Sequence, residues 1–385
     1  MATGPRVVLT GGGTGGHVYP ALAVAEAIKK RSPGAEILYV GGDRIEAKAV
    51  PAAGLPFRGI SVHGLARGVS ASKRLLSLAE LAICLPLIQS LLVLRSFRPQ
   101  VVIGTGGYVS GPVLLAARMR GIPCVALDGN RTPGWTSRAV ARLVDVMAVA
   151  HPEMAEFFAV RRRRGSRVEV TGLPIRADVV SCSREAGAAA FGFDPGRMTV
   201  VALGGSLGSQ RINEAFAGAT ARLLQQERFC DLQVLHVTGR RFFERARPAE
   251  SGARVRLLPY LEPHYAEALA AADLLVARAG ASTVAEVTAR GLPAVLIPWA
   301  QASTGEQALN AEPLARAGAA VVIPDAELSA QRLADVLGEL LSDPGRLARM
   351  AEASRSLGRP KAAEAVAKVA LELAVGARLA AQGRS

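Results

Sequence analysis

Short runs of apolar, β-branched residues recur along the chain, bounded by glycine, proline or polar clusters. Each is followed by a longer stretch in which apolar positions repeat at helical spacing. That alternation is the pattern of parallel sheets joined by crossover helices. Strands are predicted over Arg6–Leu9, Ala35–Val40, Val101–Ile103, Pro123–Leu127 and Asp145–Ala150. Tyr19–Lys30 reads as the first crossover helix, begun by Pro20 at a tolerated helix-start position. The second half repeats the plan. A strand over Met198–Leu203 runs into a glycine turn, a helix follows over Glu214–Gln226, and further strands fall at Gln233–Thr238, Val255–Leu258, Leu274–Ala277, Ala294–Pro298 and Ala320–Ile323. The predicted fold is α/β, an architecture used twice, with a seam near Gly172-Leu173-Pro174. The Arg161–Arg164 run before the seam reads as a loop, either solvated or a ligand contact. The tail from Gly376 to Ser385 reads as frayed.

The longest apolar stretch, Leu75 to Leu94, has about the length of a membrane span. It contains Glu80, Pro86 and Gln89, which are costly in hydrocarbon, and is flanked by Lys73, Arg74 and Arg95. It therefore reads as a helix lying on a bilayer, with Lys73, Arg74, Leu75 and Leu76 as the membrane-facing residues, or as a helix buried in the protein. The N-terminus leads straight into the first strand and carries no signal-peptide pattern.

Composition narrows the classes further. At 385 residues the chain suits two domains, and with half of it apolar it is not a disordered chain. Aromatics at 4% are too few for stacking platforms that read single-stranded nucleic acid. The four cysteines (Cys84, Cys124, Cys182, Cys230) form no close pair, which fits a reducing compartment and gives no zinc or disulfide pattern. The formal charge of +14 attracts polyanions, whether phosphorylated substrates, nucleic acid or an anionic membrane.

The chemistry concentrates in glycine loops. Gly11-Gly12-Gly13-Thr14-Gly15-Gly16 follows the first strand and matches Gly-x-Gly-x-x-Gly, whose amides approach phosphate at a helix start. There is no Gly-Lys-Ser/Thr of a P-loop, and Gly41-Gly42 stands where a dinucleotide fold ends its second strand in an acid. His17, directly after the loop, is either a base kept neutral by the helix dipole or a packed, hydrogen-bonded histidine. Gly204-Gly205-Ser206 offers the same device in the second half, for a diphosphate or as a tight turn. Glu286, in a loop leading from strand to helix, is placed to accept both hydroxyls of a ribose.

Thr10-Gly11-Gly12-Gly13-Thr14-Gly15-Gly16-His17-Val18-Tyr19-Pro20 is followed by Gly104-Thr105-Gly106-Gly107-Tyr108-Val109-Ser110-Gly111-Pro112 and Gly172-Leu173-Pro174-Ile175-Arg176. Then come Gly204-Gly205-Ser206-Leu207-Gly208, Arg278–Glu286 with Gly291-Leu292-Pro293, and Gly305-Glu306-Gln307-Ala308-Leu309-Asn310-Ala311. In this order, over about residues 6 to 370, they resemble the MurG family of glycosyltransferases. These enzymes add N-acetylglucosamine to undecaprenyl-diphospho-N-acetylmuramoyl-pentapeptide (lipid I) in bacterial peptidoglycan synthesis. Leu127-Asp128-Gly129-Asn130 stands where the family usually has His-Glu-Gln-Asn, and Leu173 where it often has asparagine.

The resemblance implies a GT-B fold: two Rossmann-like domains facing a cleft, with a final helix crossing back to the first. Residues 1–174, completed by 358–385, would take lipid I at the cytoplasmic face of the membrane, as a peripheral protein. Residues 175–357 would bind UDP-N-acetylglucosamine. On the donor side it implies Ser206 at the nucleotide, Arg176 on the uridine-diphosphate side, Leu261 at the uracil through its backbone and Ala281, Ser282 and Thr283 in the pocket. Glu286 would hold the ribose, and Glu306 and Gln307 the sugar. On the acceptor side it implies Gly13, Thr14, Gly15 and Gly16 at the diphosphate and Tyr108 and Asn130 near the sugar. His17 is the implied base, with Asp128 the alternative. An α-linked donor and a β-linked product mean one inverting displacement. The chain has no Asp-x-Asp, so no tightly held metal is indicated; Mg²⁺ carried by the substrate diphosphate stays open. Nucleic acid is not an implied partner, whereas cell-wall synthesis and division proteins are open ones. The rival readings are a GT-B enzyme with another lipid or natural-product acceptor, an epimerase on the same architecture, and a non-catalytic nucleotide-binding module.

Overall fold

The computed structural model describes residues 4–62, 73–205, 208–246, 254–300 and 305–382. The chain divides into two compact units, one of residues 1–176 with 361–385 and one of residues 177–360.

The first unit is built on seven parallel strands: β1 (Arg6–Thr10), β2 (Glu36–Gly41), β3 (Phe57–Gly59), β4 (Val101–Gly104), β5 (Cys124–Asp128), β6 (Val146–Val149) and β7 (Arg167–Val170). They lie in the order β3-β2-β1-β4-β5-β6-β7. Side chains alternate across the sheet, so Val8, Val40, Val102, Ala126 and Met147 share one core with the helices Lys73–Phe97 and Ser110–Met119. On the first unit as well, the helix Gly15–Arg31 packs against the C-terminal helix Ala362–Gln382, which also contacts β4. Val7, Val8, Leu9 and Ile103 are fully buried, and each such side chain stabilises the fold by about 1.5–3 kcal/mol.

The second unit has six parallel strands: β8 (Thr199–Leu203), β9 (Gln233–Val237), β10 (Val255–Leu258), β11 (Leu274–Ala277), β12 (Ala294–Leu296) and β13 (Ala320–Val322). Their order is β10-β9-β8-β11-β12-β13. Val201, Leu203, Leu275 and Ala277 face the helices Tyr265–Ala271 and Ala281–Arg290. Val200, Ala202, Val234 and Val276 face Gln210–Leu224 and Ala330–Leu341.

The predicted strands are all present, with ends shifted by a residue or two. Two short edge strands, β3 and β7, were not expected; they pair on one side only, so little of their pattern is dictated by burial. The first helix begins at Gly15 rather than at Pro20. The glycines let the chain turn early, and the amides of His17 and Val18 both reach Thr14 O, at 3.2 and 3.3 Å. Pro20 then sits in the second turn, where its missing N–H removes one helical bond. The helix after β8 likewise starts at Gln210, because the Ser209 hydroxyl accepts the Ile212 amide. The tail expected to fray from Gly376 is helical to Gln382.

Candidate functional site

In each sheet the strand order reverses direction at one place: between β1 and β4 in the first unit, and between β8 and β11 in the second. Loops leaving such neighbouring strands diverge and open a crevice at the carboxyl ends of the strands. The residues singled out by sequence fall on those loops.

In the first unit, the loop after β1 is locked against the loop after β4. His17 Nδ1 lies 3.1 Å from the carbonyl oxygen of Thr105, and the Thr105 hydroxyl donates to His17 O at 2.7 Å. A carbonyl only accepts, so this bond assigns a proton to Nδ1. Beneath the ring the backbone must come close. Gly106 has φ +103°, and a Cβ there would stand 2.7 Å from His17 Nδ1. Gly107 has φ +78°, and its Cβ would meet Gly12 O at 2.3 Å. Tyr108 lies against Gly13 on the same rim, its Cε1 being 3.0 Å from where a Gly13 Cβ would be.

Behind the loop is a residue that sequence reasoning missed. Glu46 is fully buried and accepts two backbone amides, Gly13 N at 3.0 Å and Gly42 N at 3.1 Å. Nearby, the buried Tyr39 hydroxyl donates to Gly11 O at 3.0 Å. Burial, and secondarily the charge of Glu46, push this phenol far above its ordinary range, so it acts as a neutral donor. Gly13 therefore turns its amide inward. By the general rule for helix starts, the amides of Thr14, Gly15 and Gly16 are the ones free of helical partners.

Asp128 ends β5, the strand beside β4, and is nearly fully buried. Its oxygens accept Asn130 N at 3.0 Å and Gly134 N at 3.2 Å, so the carboxylate shapes the turn that carries Asn130. Arg176 stacks near Tyr19, its guanidinium carbon 5.4 Å from the ring centre. Three residues of the Arg161–Arg164 run are engaged structurally. Arg163 pairs with Asp145, Arg162 donates to Ser166 O, and Arg161 lies over Phe157. Lys73, Arg74, Leu75 and Leu76 stand in the helix Lys73–Phe97, with side chains outside the described ones.

In the second unit, Ser206 lies outside the described residues. Its flanks are tightly folded: a Cβ on Gly204 would stand 2.4 Å from Ser209 N, and one on Gly208 2.2 Å from Thr238 O. Across the switch point, Arg278 leaves β11 and donates to Ser209 Oγ at 2.9 Å, to Ile297 O at 3.2 Å and to Asp325. This clamp ties the two loops together. Ala281, Ser282 and Thr283 form the partly exposed first turn of the next helix. Glu286 lies one turn further, is 9% exposed, and accepts the Tyr265 hydroxyl at 2.6 Å. Leu261 is buried ahead of the helix carrying Tyr265. Glu306 opens the helix Glu306–Arg316, where Gln307 Oε1 accepts the Trp299 amide at 2.9 Å and Asn310 Nδ2 donates to Ala279 O at 3.2 Å. Among the described residues no three His, Cys, Asp or Glu side chains are grouped to hold a metal ion.

Comparison with known proteins addresses both units. Residues 7–149 match the glycosyltransferase family 28 N-terminal domain, and residues 199–366 match its C-terminal domain. A Moorella thermoacetica protein described as UDP-N-acetylglucosamine–N-acetylmuramyl-(pentapeptide) pyrophosphoryl-undecaprenol N-acetylglucosamine transferase is 43% identical, covering 95% of this chain and 98% of its own. A protein of the same description from Desulforudis audaxviator is 39% identical over 96% and 98% of the two chains. The crystal structure of Acinetobacter baumannii MurG superposes with TM-score 0.71 at 26% identity, covering 96% and 99%. The chain belongs to the MurG family of glycosyltransferases.

Its two parallel-sheet units are the GT-B architecture; the glycine loop at 11–16 falls within the N-terminal family domain and that at 204–208 within the C-terminal one. Against the MurG motifs, two departures of this chain meet in space. A Cβ on Gly129 would stand 2.6 Å from Leu173 Cδ1. Leu173 therefore occupies the place into which a side chain at 129 would project, and a larger residue there would require Leu173 to move.

Proposed function

We propose that this chain transfers N-acetylglucosamine from UDP-N-acetylglucosamine to the 4-hydroxyl of the muramoyl sugar of lipid I, making lipid II for peptidoglycan. The observation that carries the reading is near-full-length likeness to relatives described by that activity. Its test is release of UDP that depends on a lipid-linked muramoyl acceptor. Equal release without that acceptor would point to an epimerase or hydrolase on the same fold.

The first unit takes the acceptor and the second the donor. As the acceptor hydroxyl attacks the anomeric carbon, His17 Nε2 takes its proton and the C–O bond to UDP breaks on the opposite face. The Nδ1–H bond to Thr105 O fixes the ring for this role. The Asp128 carboxylate, engaged by two backbone amides, suits a turn former better than a base. Charge growing on the UDP is met by amides at the start of the helix Ala281–Arg290. Any Mg²⁺ enters with the substrate diphosphate.

Glu286, which accepts the Tyr265 hydroxyl, is the residue that takes the ribose hydroxyls. Glu286→Ala is expected to raise the KM for UDP-N-acetylglucosamine at least about tenfold, since each charge-assisted bond contributes roughly 1.5–3 kcal/mol. Unchanged donor kinetics in the folded variant remove Glu286 from the site.

The enzyme meets its lipid substrate at an anionic surface as a peripheral protein. No helix among the described residues is long and apolar enough to cross a membrane. Supporting the reading, Leu85, Ile88 and Leu92 are 44%, 53% and 63% exposed on one stripe of the helix Lys73–Phe97, and Arg6, Arg95 and Arg98 gather at its end. Basic side chains near such a surface contribute about 1 kcal/mol each. Ile88→Glu and Leu92→Glu are expected to weaken co-sedimentation with anionic vesicles without lowering Tm, because both side chains are already exposed. Salt-insensitive binding, equal on neutral vesicles, would sink the electrostatic part of this reading.

A further inference from the structure

The first glycine loop carries less positive potential than its sequence promises. Gly13 gives its amide to Glu46, and a Cβ on Gly12 would stand 2.3 Å from Glu46 Oε1. A buried carboxylate thus sits immediately behind the loop. An anion on the outer side meets the amides of Thr14, Gly15 and Gly16, but also the field of that carboxylate. A diphosphate diester brings a negative charge on each phosphate, so amides alone leave the site short of a cation.

Arg44 stands where that cation is needed. It is exposed, lies just ahead of the helix that carries Glu46, and its guanidinium carbon is 5.6 Å from the centre of the Tyr108 ring. Tyr108 packs on Gly13, so the contacts run from Arg44 to the ring and from the ring to the loop. The Tyr108 phenol is raised from its ordinary value chiefly by partial burial. Arg44 opposes that rise, and Glu46 and Asp43 add to it, which places these charges in one neighbourhood. Among the described residues Arg44 makes no ion pair with a carboxylate; its contact is the ring. An arginine held against an aromatic ring keeps a planar fork of donors oriented for phosphate oxygens.

We infer that Arg44 is a further binding residue of this enzyme, its guanidinium taking a phosphate of the acceptor's diphosphate at the mouth of the Gly13–Gly16 loop. The inference rests on the reading of the first unit as the acceptor side. The test uses the full chain, UDP-N-acetylglucosamine and a water-soluble muramoyl acceptor whose diphosphate bears a short prenyl chain, with no bilayer present. Arg44→Ala is expected to raise the acceptor KM about tenfold to a hundredfold, leaving kcat and donor KM within about twofold. Arg44→Lys keeps the charge without the fork and should fall between. Inorganic pyrophosphate competing with the acceptor should lose potency in Arg44→Ala by a similar factor, which a merely structural role would not produce. Unchanged acceptor KM and unchanged pyrophosphate inhibition in the folded variant overturn the inference. So does an effect seen only with acceptor in anionic vesicles, which assigns Arg44 to phospholipid headgroups. Turnover by the unaltered chain is the separate control: if it fails, the acceptor reading fails and takes the inference with it.

Discussion

His17→Ala is expected to lower kcat by about 10²–10⁴ while leaving donor KM nearly unchanged, the range that a positioned general base contributes. The geometry behind this is one hydrogen bond and two close approaches. Thr105 O holds Nδ1, and the missing side chains of Gly106 and Gly107 let the loop after β4 lie against the ring and the loop before it. The Nδ1 bond to Thr105 O contributes about 0.5–1.5 kcal/mol, so the variant should keep its Tm within a few degrees. Steady-state kinetics on both substrates decide the matter. A variant with near-unaltered kcat makes His17 a packing residue and passes the base role to another group. A raised acceptor KM with modest loss of kcat makes it a binding residue. The pH profile adds a check, since loss of the base should remove the acidic limb of kcat.

The fold was legible chiefly because most of its strands are central and buried on both faces. Runs such as Val7-Val8-Leu9 and Val200-Val201-Ala202 leave little choice of structure. The edge strands β3 and β7 escaped for the opposite reason, being short, one-sided and partly charged. The candidate site was legible where it is local in sequence: the glycine loops, His17 and Glu286. Its supports were not, because they arrive from elsewhere in the chain. Tyr265 reaches Glu286 from a neighbouring helix, and Arg278 reads as motif filler until its bonds to Ser209 and Asp325 are seen. Gly129 and Leu173 look like two separate departures from the family pattern, yet they are one packing event. Glu46 is the clearest case. On the sequence it is one more glutamate shortly after the second strand, and such residues are usually solvated.

Glu46→Ala is accordingly expected to be among the most damaging single changes in the first unit. The carboxylate fills the space between the glycine loop and the end of β2, and is the recorded acceptor for the amides of Gly13 and Gly42. Removing it leaves one buried and one half-buried donor without that partner, at about 1–3 kcal/mol for the buried one and less for the other, and opens a cavity beside them. For a unit of this size each kcal/mol corresponds to about 2–4 °C, so a fall in Tm of about 5–20 °C is expected. Glu46→Gln separates shape from charge. It keeps the volume and one acceptor oxygen, but turns an N–H₂ toward one of the two amides, so about half of the loss should remain. If both variants melt with the unaltered chain, the carboxylate is not what holds the loop. If Glu46→Gln folds fully, its acceptor KM becomes informative. A loop that keeps its shape while losing the negative charge behind it should bind the acceptor's diphosphate more tightly, whereas a loop that has lost its shape should bind it more weakly.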